Sequence, residues 1–382
     1  IKIVGNGGLN LIPESDRQLF PMMLRNMENG YADISDNNTF ELERSYGIHY
    51  SEKIDHYGFL IEMQGNQKNF KEICQILNLR LTSANEMPGE VFQMSFNRMK
   101  RLLNTEQDVE YKNYSGQLDL SRIKSGLDTS NVAESASRFA AYRNKIVNKL
   151  NNGVIYISGD IPENFEDYIT KYIATIPESG NKLSLIEKDF DILANGLVRK
   201  QFEWKRGVSV VGYLFTQIPE KITLKEHLIM EGISQFANIR MLQILREKHG
   251  LVYSTGINPY TRSYPHNFMS LSIRYMIDST NIDTSIAIMN EVLGNMSNGI
   301  ISQNELDRLK AIIQTIYITS YYDDGTINDS WLNMINNFDK AFSRTELLET
   351  IESISLKDIQ VVMHEILDME NHYILIRRPK WE

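Results

Sequence analysis

The second half of the chain carries the clearest hydrophobic periodicity. Apolar residues recur at three- and four-residue spacings through residues 224–248, which predicts one long amphipathic helix. Gly250 follows, where a helix end favours a left-handed residue, and Leu-Val-Tyr then predicts a strand over Leu251–Ile257. Strict alternation over residues 269–275 predicts a returning strand, with Asn258–Asn267 as the hairpin tip.

The first half mixes the same two periods. The pattern predicts a strand at 57–63 and a short buried strand at 153–158. It predicts helices at 13–29, 70–79, 88–103, 132–150 and 163–176. A polar stretch from Glu178 to about Asn195 marks a linker. The sequence therefore predicts an α+β fold of two tandem homologous domains, residues 1–190 and 191–382, each a mostly antiparallel sheet packed with helices.

Composition excludes several classes of protein. The 382 residues exceed what one hydrophobic core supports, in agreement with two domains. A formal net charge of −9 argues against a nucleic-acid partner, which would require a basic face. No apolar run reaches membrane-spanning length, and the single cysteine, Cys74, excludes an internal disulfide. The chain begins at Ile1 rather than Met, so we interpret it as a fragment of a longer product; the compartment, envelope or cytoplasm, stays open.

Two hydrogen-bond donors lie on either side of the predicted helix-to-strand corner. Arg246 falls in the last helical turn and Tyr253 seven residues later. A guanidinium and a phenol held at one corner can both donate to a single anionic or carbonyl oxygen. The structural alternative is an arginine that complements the helix dipole and a half-buried strand tyrosine.

The sequence contains no complete catalytic machinery. None of its seven histidines pairs with another at the i, i+4 spacing that two zinc ligands on one helix face require. His364-Glu-Ile-Leu-Asp368 comes near the H-E-x-x-H motif, but its second ligand position is an aspartate, so we interpret it as a solvated helix face. Cys74 lies in an apolar helix and is predicted to be a core residue.

One segment resembles a known family. Residues 242–254, LQILREKHGLVYS, resemble the L-x-x-L-R-E-K-x-G-L-x-Y-S segment of the pitrilysin/insulinase family of zinc metallopeptidases, the inverzincins. Residues 7–30, 138–177 and 305–310 resemble other parts of that family in the same order. The resemblance spans nearly the whole chain as one two-domain half of the family's clamshell.

The resemblance also implies which half this is. The metal half of the family carries H-x-x-E-H, whereas the corresponding residues 21–25 here read PMMLR, with neither His nor Glu. The chain therefore resembles the non-metal (C-terminal or partner) half, with no metal ligands of its own and Zn²⁺ expected in the partner half. Such a chain is not expected to be active alone.

What the resemblance implies for the site follows from matched positions. Arg246 and Tyr253 match the pair with which the non-metal half contacts the transition state or the substrate backbone in the partner's site. The substrate would be an unfolded peptide in an enclosed chamber, which Tyr260 and Tyr264 of the hairpin tip would face; a packed or exposed turn is the alternative for them. A catalytically silent scaffold subunit and a peptide-binding module of the same fold are the competing interpretations.

Overall fold

The computed structural model falls into two compact units, Ile1–Lys188 and Asp189–Glu382. It describes residues 1–6, 8, 12, 36–54, 58–82, 94, 97, 138, 141, 153–176, 195–204, 208–263, 267–299, 301–318, 337, 338, 340 and 342–379. The helices predicted at 13–29 and 88–103, nearly all of the one at 132–150, and Tyr264 lie outside these residues.

The first unit contains a four-stranded antiparallel sheet and several described helical segments. Its elements are β1 (Lys2–Asn6), α1 (Asp36–Ser45), β2 (His49–Ile54), β3 (Gly58–Gln64), α2 (Phe70–Thr82), β4 (Gly153–Tyr156) and α3 (Phe165–Tyr168), which continues as a π-helix over Ile169–Ile173. The strand order is β2-β3-β1-β4. In this register Ile3 lies opposite Ile61 on one side and Ile155 on the other, so one face of the sheet is apolar.

The core of the first unit follows from the alternation in β3. Phe59, Ile61 and Met63 are buried, and they form one cluster with Cys74 and Leu77 of α2. The predicted burial of β4 is wrong, because β4 is an edge strand whose Val154 is exposed. An edge strand is paired on one side only and is less covered than the centre of a sheet.

The second unit contains a five-stranded mixed sheet and several described helices. Its elements are β5 (Val198–Trp204), β6 (Ser209–Gln217), α4 (Leu224–Met241), β7 (Thr255–Arg262), β8 (Phe268–Ile277), α5 (Ile282–Ser297), α6 (Gln303–Ile318), α7 (Arg344–Glu352), α8 (Leu356–Ile366) and β9 (Tyr373–Pro379). The strand order is β5-β9-β6-β8-β7. All pairings are antiparallel except that of β5 with β9. The predicted α+β fold is confirmed.

The sheet of the second unit buries one face against the helices. Alternate residues of β6 and β8, among them Tyr213 and Ile273, enter the same core cluster as the apolar side of α4. That helix begins with a capping box, in which Thr223 and Glu226 satisfy each other's backbone N–H groups. No helix among the described residues is long and apolar enough to cross a membrane.

The position of β7 differs from the sequence prediction. The strand begins at Thr255, where pairing with Tyr275 of β8 starts, rather than at Leu251. Leu251 and Val252 are apolar because they pack against the core as a loop. The strand also extends to Arg262, so the predicted hairpin tip at Asn258–Asn267 is too long.

Candidate functional site

The candidate site lies where α4 ends and the chain turns toward β7. The helix does not stop at Met241 but continues as a π-helix over Leu242–Lys248. The His249 N–H donates to the Ile244 carbonyl over 3.1 Å, a bond that spans five residues instead of four. π-Turns of this kind occur frequently at functional sites.

A left-handed glycine closes this helix end. Gly250 has φ +63°, a conformation that costs a residue with a Cβ but not glycine. Its N–H donates to the Arg246 carbonyl (2.9 Å), and the Leu251 N–H donates back to the Leu245 carbonyl (2.7 Å). The corner between the two candidate residues is therefore a hydrogen-bonded turn.

Tyr253 projects from the loop that follows. Its side chain is 90% exposed, and within the described part of the chain it makes no hydrogen bond or ring contact. Its neighbour Val252 is buried in the core. Two residues after Tyr253, the Thr255 hydroxyl donates to the side-chain oxygen of Asn238 in α4. Tyr253 is thus an exposed phenol on an anchored loop, rather than the half-buried strand residue of the structural alternative.

Arg246 is also presented to solvent. Its side chain is 47% exposed, and its guanidinium contacts the Glu247 carboxylate at 3.2 Å. An ion pair between exposed neighbours contributes little to stability. Both predicted catalytic side chains therefore extend outward from one helix-to-strand corner.

Tyr260, one of the two predicted substrate-binding residues, has packing partners. It is 40% exposed on β7 and packs edge-on against Phe268 at 6.2 Å between ring centroids. The Arg262 guanidinium lies 5.9 Å from the Tyr260 ring and 5.5 Å from that of Phe268. These contacts agree with the packed alternative, while leaving part of the ring accessible.

Strand β7 is an edge strand, but it is poorly suited to accept an added strand. Pro259 lies in its middle and has no N–H to donate. At its end, the Asn337 side chain donates to the Thr261 carbonyl (3.1 Å) and accepts from the Ser263 N–H (2.9 Å). Both features protect an edge from pairing with another chain.

Sequence reasoning missed a buried polar cluster at the other end of α4. His227 is 4% exposed and is hydrogen-bonded through Nδ1 to the Thr261 hydroxyl and through Nε2 to the Tyr317 hydroxyl, the latter over 3.0 Å. Burial lowers the pKa of His227 to about 4, so the ring is neutral near pH 7. Glu231 follows one helical turn later, and burial raises the pKa of its carboxyl to about 7. His227 and Glu231, four residues apart and separated by the apolar residues Leu228, Ile229 and Met230, were the available signal.

The described residues do not fit a metal ion. They contain no group of three or more His, Cys, Asp or Glu side chains that could hold one. His364 is exposed, and Asp368 lies beyond the end of α8, where its carboxylate accepts from the Asn371 side chain (2.9 Å) and the Glu370 N–H (3.0 Å). The H-E-x-x-D segment is thus a helix end followed by a turn.

Solved structures share this fold along the whole chain. The periplasmic protease PqqL from Escherichia coli has a TM-score of 0.82 at 15% identity, covering 99% of this chain and 42% of that one. A peptidase M16 inactive domain from Pseudomonas fluorescens has a TM-score of 0.72 at 14% identity, covering 99% and 92%. Pitrilysin has a TM-score of 0.70 at 14% identity, covering 99% and 42%. The chain thus spans about two fifths of the length of PqqL and pitrilysin.

The fold is a two-unit α+β architecture that this chain shares with part of PqqL and part of pitrilysin. Residues 135–313 match the family model described as the peptidase M16 inactive domain. Over this segment the chain is similar to an inactive domain of the peptidase M16 family, and the predicted resemblance to the pitrilysin family is confirmed. Comparison with curated protein sequences gives no match.

Proposed function

We propose that this chain is the non-zinc half of a pitrilysin-type metalloendopeptidase and that Arg246 and Tyr253 complete the active site of the zinc half. The zinc half would be on the same polypeptide or in a separate subunit. The observation that carries the proposal is the exposure of Tyr253. A tyrosine that is 90% exposed on an anchored loop contributes little to its own unit, so its phenol is available to another chain or substrate.

The chemistry assigned to this chain is hydrogen-bond donation. Zn²⁺ bound in the other half would polarise the scissile carbonyl and lower the pKa of a bound water. The Tyr253 hydroxyl would donate to the oxygen on which negative charge develops. Arg246 would hold a substrate carbonyl through its planar set of N–H donors. Both groups act only after the two halves close on a peptide.

The substrate strand would pair mainly with the other half. A peptide bound as an added β-strand requires a free edge with alternating donors and acceptors. Pro259 and Asn337 make β7 unsuitable for this role. Tyr260 would contribute at most a side-chain contact to a peptide held elsewhere.

The test is peptide hydrolysis by the protein with its zinc half present, with and without a chelator. Tyr253→Phe removes one oxyanion donor and should lower kcat by about 10²–10³-fold with a smaller change in KM. Arg246→Ala should lower kcat/KM markedly. Tyr46→Phe and Arg308→Ala, at other exposed positions, are matched controls that should behave as wild type.

Each outcome distinguishes the alternatives. Chelator-sensitive hydrolysis that requires both residues supports the proposal. Hydrolysis that is indifferent to both substitutions makes the chain a scaffold. Hydrolysis by this chain without a zinc half would contradict the whole assignment, because its described residues hold no metal site.

A further inference from the structure

The loop that bears Tyr253 is fixed at both ends by contacts that do not involve Tyr253 itself. On the helix side, the Leu251 N–H donates to the Leu245 carbonyl and the Val252 side chain is buried. On the strand side, Thr255 is the first residue of β7 and its hydroxyl donates to the side-chain oxygen of Asn238. The exposed phenol lies between these two anchors.

Asn238 is an unfavourable residue for its place in α4. Asparagine in a helix interior is less favourable than alanine because its side chain competes for backbone hydrogen bonds. Here the carboxamide instead reaches across to the strand, 17 residues away in sequence. The helix therefore carries a polar residue whose observed partner is the end of the Tyr253 loop.

The Thr255 hydroxyl is also not required by the sheet. Its backbone pairs with Tyr275 of β8, and valine has the same shape and an equal preference for strands. What valine would lack is the donor to Asn238. The two side chains thus form one bond that connects the last turn of α4 to the chain two residues after Tyr253.

We propose that Asn238 and Thr255 are positioning residues that hold the Tyr253 loop, so that the phenol is preorganised for the site in the other half. This inference rests on the proposed function of Tyr253. A donor contributes most to catalysis when it needs no reorganisation during the reaction. Loss of the Asn238–Thr255 bond should therefore lower turnover through Tyr253 and through no other route.

The first test is a double-mutant cycle in the natural protein with its zinc half present. Thr255→Val should lower kcat about fivefold, the change that corresponds to losing one ordinary hydrogen bond, with KM unchanged. Thr255→Ser keeps the hydroxyl and should restore kcat. In the Tyr253→Phe background Thr255→Val should have no further effect. The inference is overturned if Thr255→Val lowers kcat equally in both backgrounds. It is also overturned if Tyr253→Phe lowers kcat but Thr255→Val alone does not.

The second test separates this inference from the proposed function. Amide hydrogen exchange at Val252, Tyr253 and Ser254 measures local opening of the loop directly. Thr255→Val and Asn238→Leu should speed exchange severalfold, whereas Thr255→Ser should not. Thr350→Val is the matched control, because it removes a threonine hydroxyl bond to the Glu346 carbonyl within α7.

The exchange result stands whatever Tyr253 contributes to turnover. Exchange at the wild-type rate in Thr255→Val overturns the inference. Faster exchange together with turnover that is indifferent to Tyr253→Phe sustains the anchoring and overturns the proposed function instead.

Discussion

The Nε2 atom of His227 lies 3.0 Å from the hydroxyl of Tyr317, which connects the first turns of α4 to the end of α6 inside the second unit. The other ring nitrogen is bonded to the Thr261 hydroxyl of β7. Both partners are hydroxyls, which donate or accept as required, so a neutral imidazole is fully satisfied here. A protonated ring would have to be buried with its charge and with no carboxylate bonded to it.

The pH dependence of His227 follows from this burial. The pKa of the imidazole falls from 6.5 in the unfolded chain to about 4 in the folded one. Between these values the unfolded state binds a proton that the folded state does not, so folding stability is complete above pH 6.5 and is lost as the pH falls. The loss should reach about 3 kcal/mol near pH 4.

Urea unfolding followed by tryptophan fluorescence would measure this loss, since all three tryptophans lie after residue 188. His227→Gln should be less stable at pH 7 but lose less between pH 6.5 and 4. The same change at His364, which is exposed, is the control. If the free energy of unfolding of His227→Gln fell with pH as steeply as that of the wild type, another group would be responsible for the loss.

Glu231 should affect stability with the opposite sign. Burial raises the pKa of its carboxyl from 4.5 to about 7, so the folded state retains a proton that the unfolded state releases. Its contribution is favourable below pH 4.5 and is lost as the pH rises to 7. Glu231→Gln should therefore stabilise the second unit at pH 8, by about 1–3 kcal/mol, and give no gain at pH 4.5. Glu365→Gln, at an exposed position of α8, is the control for removing a negative charge.

The sequence predicted the elements whose periodicity is local. The alternation of β8 and the three- and four-residue spacing of α4 each identify a buried face without knowledge of the partner. Strand β5 was missed because its residues, VRKQFEW, are mostly polar at an edge, and its pairing with β9 is parallel and 175 residues away in sequence. Such pairing depends on contacts that no local window contains.

The sequence singled out Arg246, Gly250 and Tyr253 as a candidate corner but predicted Tyr253 to lie in a strand. The residues Leu-Val-Tyr at 251–253 are typical of a strand, yet the strand begins only at Thr255. Leu251 and Val252 are apolar because they pack on the core as a loop, which leaves Tyr253 outside it. The bond from Thr255 to Asn238 joins two elements through polar side chains, and apolar periodicity carries no signal for it.

The first unit contains a buried ion pair, for which removing one partner should destabilise the unit far more than replacing both. Arg80 of α2 is 2% exposed, donates twice to one Glu43 carboxylate oxygen (2.8 and 2.5 Å), and lies 3.9 Å from the Tyr50 ring centroid. Arg80→Ala would leave the Glu43 carboxylate buried without its partner and should cost about 3–5 kcal/mol.

Replacing both members of the pair should cost much less, because no charge is left behind. Arg80→Met combined with Glu43→Leu should recover most of the loss. Amide exchange of the α2 backbone would report both effects, since tryptophan fluorescence follows the second unit. Arg44→Ala, at an exposed neighbouring position, is the control and should be within about 0.5 kcal/mol of wild type. A double variant as unstable as Arg80→Ala would mean that packing on Tyr50, rather than charge, dominates.

The helix end at Gly250 allows backbone strain to be measured without a clash. A Cβ at this position would meet no atom within 4 Å, so Gly250→Ala adds only the cost of holding an alanine at φ +63°, about 1–2 kcal/mol. Gly250→Asn should cost less, because asparagine tolerates the left-handed region. At Gly299 the φ is similar, +68°, but a Cβ would lie 2.6 Å from Cγ of Gln360.

Gly299→Ala should therefore be more destabilising than Gly250→Ala, and the difference between the two measures the steric cost alone. Urea unfolding followed by tryptophan fluorescence gives the free energies of unfolding of Gly250→Ala, Gly250→Asn and Gly299→Ala under one condition. If Gly250→Ala and Gly250→Asn were both neutral, the corner between Arg246 and Tyr253 would not need its left-handed residue. The two side chains would then lack the fixed turn on which their proposed joint role depends.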